Sequence, residues 1–188
     1  MSITNLDDWK YGDVRDLLQV GKGPWDMCPW VLYNRNIFSV GCELPEKIYN
    51  NKILSNESGL RDTNSHLQNR LPLPMAFLVT SVHVLLTGSD RSRELFRHNY
   101  ILEIQIGQKV YHQIPIEMID SIDSMVLAEK PVTEGIQARP GYFPKNFPLA
   151  ILQQQSYSTY LIGQGFTVDR LELSVLTALN GIMVRGIQ

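Results

Sequence analysis

The stretch from Met75 to Leu86, MAFLVTSVHVLL, constrains this chain more than any other. It is rich in β-branched and aromatic residues and apolar on both alternating sets, the pattern of a strand covered on both faces. Gly88 and Ser89 end it. After a basic loop carrying Arg91, Arg93, Arg97 and His98, the residues Tyr100, Leu102, Ile104 and Ile106 alternate with Glu103 and Gln105, as in a half-buried antiparallel strand. Gly107-Gln108 sits where a two-residue type II′ turn wants glycine first, so Lys109 to Ile114 returns as the partner strand until Pro115 stops it.

Weaker signals surround this centre. Tyr33 to Cys42 reads as a strand, and a short helix fits Asp13 to Gln19, with Val14, Leu17 and Leu18 on one face. Met118, Ile122, Met125 and Val126 mark one side of a second short helix between Ile116 and Ala128. Leu149–Leu152, Tyr157–Ile162 and Phe166–Val168 read as short strands, followed by a strand carrying Leu171, Leu173 and Val175 and a final run from Ile182 to Ile187. Asn180-Gly181 between these last runs fits either a hairpin turn or a kink in one long strand. Many short strands without βαβ alternation point to an all-β fold, an antiparallel sandwich or jelly roll with one or two short helices.

The division expected is an N-terminal arm and extended loop over residues 1–72 and a β domain over 73–188. All three tryptophans, Trp9, Trp25 and Trp30, fall in that arm, which would pack on its own barrel or on a neighbour. The 188 residues suffice for one domain with a real core, with a radius of gyration of about 16 Å. Seventeen basic against 19 acidic side chains leave a formal charge of −2, which argues against a coat held on nucleic acid by phosphate neutralisation. Charged residues are only 19% of the chain, below the usual level of about 25%, a hint of surface covered by other chains. There is no run of about 18 apolar residues and no basic-then-apolar start, so the chain is read as made and kept inside a cell. Cys28 and Cys42 form no CxxC pair and read as two reduced, half-buried thiols.

Catalytic chemistry finds no positive support. His66, His83, His98 and His112 show neither HxH nor HExxH spacing; His83 and His112 lie within strands and read as structural. Glu117, Asp120, Asp123 and Glu129 crowd the helix near residue 120 and read as a solvated face rather than an acid/base pair or calcium site. No GxSxG nucleophile turn or phosphate-binding glycine loop is present. The expectation is therefore no catalytic residue, no metal, no cofactor and no small-molecule substrate.

Three stretches together carry a resemblance. Asp62-Thr63-Asn64 followed by Leu71-Pro72-Leu73-Pro74-Met75-Ala76-Phe77-Leu78-Val79, the run LEIQIGQKVYHQIPIEMI (102–119) and the ending LSVLTALNGIMVRGIQ (173–188) resemble the jelly-roll coat proteins of tailless icosahedral viruses of bacteria and archaea. The resemblance implies a single eight-stranded jelly roll, since 188 residues are too few for two. It also implies a major or minor capsid subunit that contacts copies of itself and other coat proteins, located in the virion after synthesis in the host cytoplasm. It favours one kinked strand at Gly181. On that reading Trp25, Trp30, Phe143 and Phe147, in proline-flanked segments, are candidate inter-subunit contacts, the alternative being that they cover the ends of their own barrel. The charge balance gives no support to contact with an internal membrane or genome. The rival readings are a carbohydrate- or receptor-binding sandwich, carrying tryptophan and tyrosine on a sheet face, and a metal-dependent jelly-roll enzyme using His83, His98 and His112.

Overall fold

A computed structural model describes residues 11–20, 24–50, 59–60, 62–65, 70–71, 73–119, 141–142 and 149–186. In chain order the elements are α1 (Tyr11–Leu17), β1 (Trp25–Phe38), β2 (Lys47–Tyr49), β3 (Met75–Thr87), α2 (Asp90–Asn99), β4 (Tyr100–Ile106), β5 (Lys109–Pro115), a 3₁₀ turn (Ile116–Met118), β6 (Gly141–Tyr142), β7 (Leu149–Ile151), β8 (Tyr157–Gly163) and β9 (Leu173–Gly186). The fold is all-β. One sheet has the order β1-β9-β3-β6, with β7 also on β3, and the other has the order β2-β8-β4-β5. Every pairing is antiparallel.

The inner faces of the two sheets meet in one apolar core. Phe77, Val79, Val82, Val84, Leu173 and Val175 come from the first sheet; Leu102, Ile104 and Leu161 come from the second. Each such side chain removed from water contributes about 1.5–3 kcal/mol. A polar seam crosses the same layer. Asn36 Nδ2 on β1 donates to Asn50 Oδ1 at 2.6 Å, and the Thr159 hydroxyl on β8 donates to the Asn50 carbonyl at 3.0 Å. These three residues are buried, and their mutual bonds offset the cost of dehydrating them.

The double-sided apolar character of β3 has a direct cause. Phe77 and Val79 face the core between the sheets, whereas Ala76 and Leu78 lie on the outer face under Val14 and Leu18 of the α1 segment, with Ile182 and Val184 of β9 beside them. The amino-terminal helix therefore packs on its own body.

Several expectations need correction. The segment before residue 73 is not an arm throughout: Trp25–Phe38 pairs along its whole length with β9, and Lys47–Tyr49 pairs with β8. The strand placed at Tyr33–Cys42 thus starts earlier and ends sooner, because its partner β9 supplies fourteen consecutive pairing positions. Residues 90–99 form a helix rather than a basic loop. Ser89 caps it by accepting from the Ser92 amide at 3.3 Å, Asp90 and Arg97 suit its two ends, and Phe96 anchors it. Phe166–Val168 is not a strand; Thr167 makes a single bridge to Glu43. Of the helix expected between 116 and 128, a 3₁₀ turn over Ile116–Met118 is seen, and residues 120–128 lie outside the described residues.

The hairpin stands as expected. Gly107 has φ +63° and Gln108 is not among the residues of positive φ, as a type II′ turn requires. The Asn180-Gly181 alternative is settled in favour of one strand. β9 runs through Gly181, and opposite it β3 carries a bulge at Thr80, between the pairs Val79–Gly181 and Ser81–Asn180. A Cβ on Gly181 would lie 1.9 Å from the Leu78 carbonyl oxygen, so only glycine fits. Gly181→Ala should lower stability by about 3 kcal/mol, read as a shift in the denaturant midpoint, because backbone rather than a flexible side chain blocks the methyl group.

Tyr100 fastens α2 to the sandwich. Its ring stacks on Phe96 at 4.4 Å and meets Phe166 edge-on, and its hydroxyl donates to the Pro45 carbonyl at 2.8 Å. Burial first, and the charge of Glu46 second, push the phenol from 10.0 up to about 12. A phenol whose folded pKa is raised contributes its full share to stability below pH 10 and loses that share as the pH climbs toward about 12. Tyr100→Phe should therefore flatten the fall of thermal stability over that alkaline window, at the cost of about 1 kcal/mol at neutral pH from the lost hydrogen bond.

Candidate assembly surfaces

Surfaces that other chains could cover are determined first by the sheet edges. Among the described residues β1 ends its sheet, and a bare edge of fourteen residues would be a template for unwanted pairing. Residues 62–64 shield its middle. The Arg35 amide donates to the Asp62 carbonyl at 2.7 Å, and Thr63 bridges Asn34. The Tyr33 amide donates to Asn64 Oδ1 at 3.1 Å, while Asn64 Nδ2 donates back to the Val31 carbonyl. The Asn64 carboxamide, one donor and one acceptor side by side, thus imitates a peptide group of a neighbouring strand. Asp62-Thr63-Asn64, singled out by resemblance, is an edge cap.

On this edge Trp30, Val31 and Ile37 stay exposed, Trp30 at 45%. Trp25 is different. It is half-buried against the α1 cluster, 3.4 Å from where a side chain on Gly186 would begin, and so packs on its own sheet. Phe143 and Phe147 lie outside the described residues. The two tryptophans thus share one strand, Trp25 packed on its own sheet and Trp30 exposed.

β5 ends the other sheet among the described residues. Val110 and Tyr111 are exposed on it, and a register shift between Ile104 and Gln105 leaves Tyr111 without a partner residue on β4. Lys109 and Pro115 flank this strand, residue types that discourage indiscriminate edge pairing. Val31 and Ile37 on one edge and Val110 and Tyr111 on the other were not singled out in the sequence, because an edge is a property of the pairing order. The adjacent Val110 and Tyr111 in the short polar strand KVYHQIP were the available signal.

The outer face of the second sheet carries a row of side chains in register, Tyr49, Tyr160, Glu103 and Gln113. The two tyrosine rings lie 5.5 Å apart at 50°, and Lys47 Nζ stands 4.0 Å above the Tyr160 ring. Gln105 and Gln113 each donate to one oxygen of Glu103 at 2.6 Å, which satisfies this buried carboxylate. The row completes its own polar contacts.

The histidines considered as metal ligands sit on separate elements. His83 on β3 hydrogen-bonds Ser81 at 3.1 Å; His98 on α2 meets Glu117 at 3.1 Å in an exposed pair; His112 on β5 is opposite Ile104, and burial lowers its pKa. Among the described residues no three His, Cys, Asp or Glu side chains are grouped to hold a metal ion. His66, Asp120, Asp123 and Glu129 lie outside the described residues. In the basic cluster Arg93 pairs with Asp90, so its charge is partly internal to α2. Cys28 and Cys42 are free and half-buried. No described helix is long and apolar enough to cross a membrane.

No protein-family model matches the chain, and no curated protein matches it in sequence.

Removing the edge cap should be measurable. Asn64→Ala should cost about 1–2 kcal/mol and speed hydrogen exchange at the Tyr33 amide, whereas Asn64→Asp, which keeps the acceptor, should leave that amide protected. Equal exchange in both variants would contradict the capping role.

Proposed function

We propose that this protein is a virion structural protein, a single jelly-roll subunit of the coat of a tailless icosahedral virus. In this reading it joins copies of itself and other coat proteins, performs no catalysis, and is located in the virion after synthesis in the host cytoplasm. The observation that carries the reading is the strand order. Successive strands wrap from sheet to sheet, β1 and β3 in one, β2 and β4 in the other, and β9 returns between β1 and β3. This order supports a jelly roll over a simple meander. The three stretches that carry the resemblance fall on the β1 cap with the start of β3, on the β4–β5 hairpin, and on β9.

The distribution of exposed apolar side chains supports assembly. Trp30, Val31 and Ile37 cluster along one edge and Val110 and Tyr111 along another, where neighbours in a shell would cover them. A carbohydrate-binding role fits less well: sugar recognition stacks on an open aromatic face, and Lys47 stands over Tyr160. A metal-dependent enzyme would need His83, His98 and His112 to converge from three elements that the fold keeps distinct.

Native mass spectrometry and negative-stain microscopy of the purified chain test the reading. Oligomers or shell fragments are expected, and Tyr111→Glu with Val110→Lys should shift the population at least about tenfold toward monomer by removing an apolar contact. A chain that stays monomeric at high concentration and joins no particle would sink the proposal.

A further inference from the structure

One end of the sandwich is open between the sheets. A cleft of about 170 Å³ lies there, walled by Cys28, Trp30 and Leu32 of β1, Met75 of β3 and Met183 of β9, and closed by Leu71. Leu32, Leu71 and Met183 belong to the main core, so the cleft is an outward extension of it, and half-exposed Trp30 forms part of its wall. Tyr157 of β8 lines it from the opposite sheet; burial pushes that phenol up, against a hydrogen bond with Ser65.

Among the described residues the charged groups of the lining are both cationic, Arg70 and Arg185. Arg185 is held by Asp26 across the β1–β9 pair, with Nη2 and Nε at 2.7 and 2.9 Å from one carboxylate oxygen. One Asp against two Arg leaves an excess positive charge at the cleft. A cavity of about 150 Å³ lined by aliphatic side chains stays dry and accepts a benzene-sized guest. The present cleft matches an apolar body of about six carbons by the same measure. Guanidinium groups favour carboxylates as planar, bidentate partners.

We propose that this cleft binds a small amphiphilic carboxylate, its apolar body of about six carbons between the sheets and its carboxylate at Arg70 and Arg185. The charge complementarity selects the anion over a neutral or cationic amphiphile of equal size. The lining comes from one chain, so the isolated subunit suffices to test it.

Titration of the full chain with hexanoate, 1-hexanol and hexylamine, followed by thermal shift and tryptophan fluorescence, tests the site, Trp30 being a reporter within its wall. Hexanoate should raise Tm and change the emission saturably, at an affinity at least about tenfold above that of 1-hexanol, with hexylamine weakest. Arg70→Gln, at an exposed position, should bring hexanoate and 1-hexanol within about threefold of each other, and Cys28→Phe should fill the cleft and abolish both responses. No saturable response to hexanoate would overturn the site. Equal binding of hexanoate and 1-hexanol by the unaltered chain, or an unchanged preference in Arg70→Gln, would overturn the anion assignment. Undiminished binding by a folded Cys28→Phe would overturn the location.

Discussion

Where β9 passes β3 at Gly181, two backbones come closer than any side chain allows, and the rest of the sandwich depends on that contact. β9 is central in its sheet and pairs with β1 along fourteen positions and with β3 along most of its length. The bulge at Thr80 takes up the extra residue on β3 without breaking β9. On one side of this point Leu173, Val175 and Leu179 face the core; on the other, Met183 faces the core while Ile182 and Val184 turn outward beneath α1. One close approach thus aligns the inter-sheet core with the second, outer cluster that holds the amino-terminal helix.

The two-sheet arrangement also decides where the molecule is incomplete. Interior strands have their hydrogen bonds satisfied by neighbours, so the remaining polar and apolar demand gathers at edges and open ends. At β1 the Asn64 carboxamide satisfies part of the demand from within the chain. At β5 a flanking lysine, a bulge and a proline limit pairing yet leave Val110 and Tyr111 in solvent. At the end near Trp30 the sheets do not close over Met75 and Met183, and a cleft results. The exposed edge of β1 and the cleft meet at Trp30, which belongs to both.

Legibility followed the range of the interaction. β3, the β4–β5 hairpin and the body of β9 could be read because their burial pattern or turn chemistry is written within a few residues. α2 reads as a basic loop: Ser89 and Asp90 are a cap and a first-turn acid, but a single anchoring aromatic, Phe96, gives no periodic stripe. β2 is three residues in a polar stretch, held by β8 far along the chain, and left no local mark. Of the candidate contacts, Trp30 is exposed and Trp25 packs against the α1 cluster, because proline flanks and aromatic type do not reveal what a strand residue packs against.

The all-β class, the position of the doubly buried strand and the II′ hairpin follow from local pattern, because alternation and glycine placement act over neighbouring residues. The mid-strand place of Gly181, the edge cap made by Asp62-Thr63-Asn64, and the cleft that Cys28, Met75 and Met183 share with two arginines emerge from the folded chain. Each of those facts joins residues distant in the chain, and such meetings are set by the order in which strands pair.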